Sequence, residues 1–352
     1  MLTRVPAARS QPPAVLPGRT ATRTDWPSGV AKYVVPEIVF GAGVLDEIGH
    51  AAARLGAVRP LLVTDAGVQE AGWSGQACRR LGGPIFDYEG IDRIPRPIPP
   101  LVAAPTTAGI GADVSQFAVI TDTRRGLKAT LIGKTLVPDI SLTDPHLLVT
   151  MPDWLSATTG LDALTHGVEA YVSQAASFLT DEHALAAVAL VGRHLQRSVH
   201  DPLDSEARTA MARASLSAGL AFTNAILGAA HAISHQIGGA LDLPHGMLNA
   251  ILLPHVVRCN AATDPGRFRP LAEALGVPEA SRLPQDEVGD ALASCISELA
   301  TSIGAPRTLH EIGVVPSDLP AFARQTLCDA CLTTNPRPVT EDDIAGILRA
   351  AL

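Results

Sequence analysis

The apolar positions of this chain change rhythm once, near residue 145. Between Tyr33 and about Asp144, apolar runs of strand length alternate with small-residue stretches at helical spacing, so that "EIVFG", "VLDEIGHAAARLG" and "RPLLVTD" read as strand, helix, strand. "PPLVAAP", "FAVITD" and "PDISLTDP" add further strands. "PRPIPP" leads into the first of these as extended chain, because proline fixes its own φ and restricts the residue before it. Strands alternating with a helix predict a parallel, Rossmann-like α/β unit.

From Pro145 onward the spacing is helical. "DWLSATTGLDALTHGVEAYVSQA", "DEHALAAVALVGRHLQRSV", "SEARTAMARASLSAGLAFTNAILGAAHAISHQIG" and "DEVGDALASCISELATSIG" are long, alanine-rich and periodic, which predicts an all-α second half. A length of 352 residues corresponds to roughly two domains. The expected organisation is a disordered tail over 1–30, an α/β domain over 31–145 and an all-helical domain over 146–352. The tail holds four arginines and no acid before Asp25, as an organelle transit sequence does, yet its four prolines and lack of an apolar stripe favour disorder.

Composition narrows the function classes. With 47% apolar and 18% charged residues and a net charge of -8, the chain has a globular composition and no basic excess to attract nucleic acid. No apolar run reaches the roughly eighteen residues of a membrane helix. Five scattered cysteines, Cys78, Cys259, Cys295, Cys328 and Cys331, do not make a disulfide framework, and a reducing cytoplasm is the expected compartment. "CDAC", Cys328 to Cys331, lacks the second pair of a zinc site and the preceding strand of a redox motif, so it reads as structural within a C-terminal helix.

The candidate chemistry is a histidine cluster. "GAAHAISHQIGGALDLPHG" places His231, His235 and His245 within fifteen residues of a chain holding 11 histidines. His231 and His235 are four apart on one helical face, and the turn-rich "GGALDLP" lets His245 fold back toward the helix end. Asp162 and His166 in "GLDALTHGVEA" are also four apart, a two-ligand clip on one helix face. One carboxylate with several imidazoles suits Fe(II), Zn(II), Co(II) or Ni(II) and argues against Mg(II) or Ca(II). On spacing alone a second reading stays open, because a helical histidine is often a satisfied core residue and an Asp-x-x-x-His pair is a common surface contact.

"PTTAGIGADVSQFAVITD", "GLDALTHGVEAYVS", "HAISHQIGGALDLPHGMLNAILLPHV" and "TTNPRPVTEDDI" together resemble the iron-containing (group III) alcohol dehydrogenase family, in that family's order, from about Tyr33 to Leu352. The resemblance implies that Asp162, His166, His231 and His245 hold one divalent ion, Fe(II) or Zn(II), and that His235 is a proton relay beside substrate and nicotinamide. It further implies that Thr106, Thr107 and Gly109 of "PTTAG" line the site of NAD(H) or NADP(H), with Lys128 near the nicotinamide ribose. Ile110 stands where the family carries threonine, which removes a hydroxyl. The implied activity is hydride transfer between a small alcohol or hydroxy acid and the nicotinamide, in a cytoplasmic homo-oligomer without nucleic-acid or membrane partners.

One family feature is missing. The family's GGGS loop, whose amides bind the dinucleotide pyrophosphate, has no counterpart, since Gly-Gly pairs occur only at Gly82-Gly83 and Gly238-Gly239. "AGWSGQACRRLGGPIFDYEGIDRIP" reads as family text joined across a gap near Trp73 to Cys78, which leaves a truncated dinucleotide-binding domain. Two further readings follow: a metal-binding descendant with lost or impaired dehydrogenase activity, and a metal-dependent hydrolase, against which stands the lack of a carboxylate base beside the histidines.

Overall fold

The computed structural model describes residues 34–57, 85–95, 98–122, 125 and 127–352. The expected tail over 1–30, the strand "RPLLVTD" and the join near Trp73 to Cys78 lie outside the described residues. In chain order the α/β part contains β1 (Glu37–Phe40), α1 (Ile48–Arg54), β2 (Gly90–Ile91), β3 (Val102–Ala103), β4 (Phe117–Asp122), β5 (Leu127–Ile132) and β6 (Ile140–Thr143). β6 is the middle of a parallel sheet in the order β1-β6-β3, with Glu37 opposite Ile140 and Val102 also opposite Ile140. All four β6 residues are buried, as expected of a strand covered on both faces.

The second sheet departs from the parallel expectation. β2 runs parallel to β5, but β4 and β5 pair antiparallel, with Phe117 opposite Ile132 and Asp122 opposite Leu127. Only four residues separate β4 from β5, too few for the crossover that a parallel pair requires, so a hairpin is the available connection. "LKATLI" had not been anticipated as a strand.

Ten α-helices are described in all, and nine follow the sheets: α2 (Asp153–Val172), α3 (Phe178–His200), α4 (Ser205–Ala225), α5 (Ala229–Leu241), α6 (His245–Ala261), α7 (Pro265–Leu275), α8 (Val288–Ser302), α9 (Leu319–Thr326) and α10 (Glu341–Ala351). Their ends follow local chemistry. Ser177 and Thr180 form a capping box on α3, Asp204 accepts from the Ala207 amide at the start of α4, and Thr340 and Asp343 form a second box on α10. Among the described residues no single helix is long and apolar enough to cross a membrane.

The stretch from Ser205 to Gly238, expected as continuous helix, breaks at Ile226–Gly228, and α4 and α5 meet at 100°. Ile226 has φ 62°, a conformation that a β-branched residue adopts only when its surroundings enforce it. The surroundings are tertiary: Glu169 accepts from the Gly228 and Ala230 amides, Asn335 from the Ala229 amide, and the Thr334 hydroxyl donates to the Leu227 carbonyl. "CDAC" also differs from expectation, with Cys328 in a turn after α9 and Cys331 in a short 3-10 helix, Ala330–Thr334.

The larger core joins α2, α3, α4, α7 and α8 through residues such as Leu161, Leu164, Val188, Leu195, Phe268 and Ile296. A second core packs α5 and α6 on α9 and α10 through Ile233, Ile237, Leu252, Phe322 and Leu348. Of the helices that carry the clustered histidines, α2 belongs to the larger core, while α5 and α6 contribute to both.

Candidate metal centre

Helix α2 is buried from Ser156 to Val172 without interruption. Asp162 and His166 therefore cannot be the solvated surface pair that their spacing also allowed; both are buried, on one face of a helix enclosed on all sides. Helix α6 approaches this face closely at Gly246, where a Cβ would stand 2.4 Å from the Thr158 carbonyl oxygen and 3.1 Å from Asp162 Cβ. Asp242, in the left-handed region at φ 53°, ends α5 and turns the chain so that His245 opens α6.

Ligand atoms of Asp162, His166 and His231 all lie within 4.8 Å of one another. His231 Nε2 is 3.8 Å from Asp162 Oδ1, and the His166 and His231 rings stack with centroids 4.6 Å apart. His245 stands alongside, 4.9 Å from His231 and 5.0 Å from His235 between ring centroids. Phe222 covers the outer face of the His166 ring at 4.3 Å. All five residues singled out around this cluster are thus gathered from α2, α5 and α6.

Each imidazole is oriented through Nδ1. His166 Nδ1 donates to the Gly109 carbonyl at 3.0 Å, and His231 Nδ1 to Glu169 Oε2 at 2.6 Å. The Ser234 hydroxyl gives its only proton to the His231 carbonyl, so at 3.2 Å it accepts from His245 Nδ1. His235 Nδ1 donates to Asp329 Oδ2 at 2.9 Å. In a neutral ring so held, Nε2 carries the lone pair, the arrangement in which a second acceptor fixes the tautomer of a ligating histidine.

The electrostatics follow burial. Burial first, then the neighbouring imidazoles, holds His231 and His245 well below the usual histidine range, so both are neutral at neutral pH, the form that binds metal. Burial pushes the Asp162 carboxyl up, opposed by His166 and the Asn249 amide, and pushes Glu169 up to about 7 against the amides of Ala230 and Gly228.

These residues fit a divalent ion. One buried carboxylate and neutral imidazoles converge with lone pairs inward, a donor set suited to a borderline metal. Asn249 also marks the spot: its Nδ2 donates both to Asp162 Oδ1 at 2.7 Å and to His231 Nε2 at 3.1 Å, while its Oδ1 is buried without a partner. Two acceptors meant for a cation are thus bridged by an amide whose own oxygen is left unpaired.

Of the residues expected to contact a nucleotide, Gly109 is buried against α2, where a Cβ would stand 1.9 Å from the Thr159 carbonyl oxygen. Thr106 is exposed and Thr107 half-buried on the same loop after β3, and Ile110 is 49% exposed. Lys128, half-buried on β5, reaches α5, where a Cβ on Gly238 would stand 3.4 Å from its Cε. The Pro105–Gly111 loop is therefore tied to the histidine cluster through the Gly109 carbonyl.

Sequence reasoning missed Glu169, Asn249 and Asp329. Glu169 was within reach, since it lies three residues after His166 and seven after Asp162 on the same helical face. Asp329 sits inside "CDAC", where the cysteines drew attention away from it; it also accepts from Gln236 Nε2 at 3.2 Å and from the Cys331 amide at 2.9 Å.

Fold and cluster together define a class: an α/β sheet region followed by a helical half that carries one buried carboxylate–imidazole centre. Residues 156–352 match the family model described as "Fe-containing alcohol dehydrogenase family, C-terminal", and residues 76–145 match that for "Iron-containing alcohol dehydrogenase". The 1,3-propanediol dehydrogenase of Klebsiella pneumoniae is 41% identical over 269 residues, 76% of this chain and 69% of that protein. The NAD-dependent methanol dehydrogenase of Bacillus methanolicus is 32% identical over 378 residues, covering 91% of this chain and 99% of that protein. That span exceeds the whole 352-residue chain, so the relative carries residues that have no counterpart here. The solved structure of a 1,3-propanediol oxidoreductase, 32% identical, superposes with a TM-score of 0.85 and covers 92% of this chain and 100% of that one.

The chain belongs to the iron-containing alcohol dehydrogenase family. It is an oxidoreductase of the alcohol dehydrogenase and aldehyde reductase type, and none of the comparisons favours a descendant without that activity.

Proposed function

We propose that Asp162, His166, His231 and His245 bind one Fe(II) or Zn(II), and that the protein oxidises a small primary alcohol, or reduces the corresponding aldehyde, with NAD(H) or NADP(H). The observation that carries this reading is the convergence of Asp162, His166 and His231 ligand atoms within 4.8 Å inside a fully buried helix interface. Bound at this centre, a divalent ion supplies Lewis acidity to a substrate oxygen, and the nicotinamide supplies or accepts the hydride. The names of the propanediol and methanol dehydrogenase relatives support a small alcohol as substrate.

The protein's own residues do the rest. Four protein donors leave a position for a substrate oxygen, where a fifth would tend to close the shell. His235, buried beside the cluster and held through Nδ1 by Asp329, presents Nε2 to take or return the hydroxyl proton. Thr106 and Thr107 offer hydroxyls to the nucleotide, the resemblance adds Gly109 on the same loop, and Lys128, on β5 beside α5, is the cation the resemblance assigns near the nicotinamide ribose. The sequence holds no GGGS, so the proposed cofactor contacts rest on these residues.

In this proposal residues 31–145 form a truncated dinucleotide-binding region and residues 146–352 a metal-binding helical region. Cys259, Cys295, Cys328 and Cys331 are free thiols, which supports a reducing compartment such as the cytoplasm, and the family resemblance supports a homo-oligomer. The test is anaerobic reconstitution with Fe(II) or Zn(II) and measurement of NADH absorbance against alcohols, aldehydes and hydroxy acids. Turnover with at least one substrate is expected; none with either metal, in folded protein, overturns the reading.

A further inference from the structure

We propose that Glu169 is a positioning residue of the metal centre: its carboxylate holds His231 in the Nδ1–H tautomer and supplies the second buried negative charge that a divalent cation there would meet. This rests on the metal reading above and concerns a residue outside the ligand set. Both carboxylate oxygens are used. Oε2 accepts from His231 Nδ1 at 2.6 Å and from the Gly228 amide at 3.1 Å, and Oε1 accepts from the Ala230 amide at 2.7 Å. The side chain is 2% exposed, and no lysine or arginine among the described residues forms an ion pair with it.

Capping α5 does not by itself require that charge. Within the same turn the Ala229 amide is satisfied by Asn335 Oδ1, a neutral acceptor, at 3.2 Å. Burying an uncompensated carboxylate costs several kcal/mol even when hydrogen-bonded; glutamine would avoid that cost, but its single acceptor oxygen could serve only one of the Gly228 and Ala230 amides. What distinguishes Glu169 is its third contact. An ionised carboxylate only accepts, so it admits His231 only with the proton on Nδ1.

The opposite edge of the ring gives an independent reading of the same tautomer. Asn249 Nδ2, a donor only, faces His231 Nε2 at 3.1 Å and is fixed in that orientation by its second bond to Asp162 Oδ1. His231 therefore lies between two carboxylates of one helix, Glu169 at Nδ1 and Asp162 3.8 Å from Nε2. Two buried carboxyl groups seven residues apart, neither ion-paired with a lysine or arginine among the described residues, offer charge that a doubly charged cation at Nε2 would balance. Glutamine at 169 would keep the size but present an amide that can donate to Nδ1, which drives the proton to Nε2 and blocks the lone pair.

The experiment compares wild type, E169Q and E169D as full chains. Zn(II) affinity is measured by competition with a chromophoric chelator, and thermal melting is measured without metal. The expected result is a 10- to 100-fold loss of Zn(II) affinity in E169Q, a smaller loss in E169D, and a metal-free E169Q that melts lower than wild type, through the one backbone amide left unpaired, by less than the affinity loss represents. Affinity of E169Q within twofold of wild type overturns the proposal, as does a metal-free melting loss that accounts for the whole effect, for Glu169 would then be a helix cap. A second measurement does not depend on either variant folding: the 15N resonances of His231 in metal-free wild type. An Nδ1–H tautomer is expected and an Nε2–H tautomer overturns the proposal. If wild type binds no Zn(II) while His231 is the Nδ1–H tautomer, it is the metal reading that fails, and the charge-matching half of this proposal fails with it.

Discussion

Gly109→Ala puts the coupling between the Pro105–Gly111 loop and the histidine cluster to a quantitative test. The added Cβ would stand 1.9 Å from the Thr159 carbonyl oxygen, 2.5 Å from its carbonyl carbon and 2.8 Å from its Cβ. The first distance is more than about 1 Å inside ordinary van der Waals contact. The obstacle is helix backbone, which cannot swing aside as a side chain would, so the loop must retreat. Retreat breaks the 3.0 Å bond from His166 Nδ1 to the Gly109 carbonyl. Overpacking of this kind costs about 1–3 kcal/mol, and leaving the buried imidazole N–H unpaired costs about 1–3 kcal/mol more. A loss of about 2–6 kcal/mol is therefore expected in denaturant unfolding of the metal-free protein, with about 10-fold or greater weakening of Zn(II) binding from the released His166 ring. Gly346→Ala in α10 is the control, since its Cβ would meet nothing within 4 Å. It should be neutral or stabilise by about 0.5–1 kcal/mol through helix propensity. Equal unfolding midpoints and equal Zn(II) affinity for Gly109→Ala and wild type would refute the close approach and the tether together.

Three other outcomes follow from the same geometry. His235→Asn should keep wild-type Zn(II) stoichiometry while kcat falls by about 10²–10⁴ with little change in KM, as for loss of a proton-transfer group; unchanged kcat in steady-state assays removes His235 from the chemistry. Leu164→Ala in the fully buried face of α2 should lower stability by about 2–5 kcal/mol in urea unfolding, and a loss under 1 kcal/mol would show that the site collapses. Asp343 is held down to about 2 by Arg337 and by the Thr340 amide and hydroxyl, so its contribution is present above the unfolded value of about 3.9 and is lost as pH falls through about 2. Asp343→Asn should therefore cost about 1 kcal/mol at neutral pH, after allowance for partial exposure, and nothing at the acid end of that window. Melting curves across the pH range check this, and a difference that persists below pH 2 contradicts it.

The helical half was largely legible because α2 to α10 carry their own signals: caps at Ser177, Asp204 and Thr340, and apolar spacing strong enough to place Asp162 and His166 on one face. Sequence could not place the break at Ile226, because what holds that residue at positive φ is a set of bonds from Glu169, Thr334 and Asn335. Those partners lie 59 to 107 residues away along the chain. Distance along the chain also hid Asp329, which is 94 residues from His235. The α/β half was read less well: β3 is two residues long, and β5 was overlooked although Lys128 and Thr130 alternate with Leu127, Ala129 and Leu131, because the pattern is only six residues long. Periodicity reports which face is covered and says little about which strand is the neighbour.

Metal stoichiometry is the most direct test of the central claim. Wild type, stripped by chelator and dialysed against Zn(II), should retain one ion per chain, while Asp162→Ala, His166→Ala and His231→Ala, each shown to be folded, should retain almost none at the same free Zn(II). A wild type that retains no ion, or ligand variants that retain as much as wild type, would contradict the account.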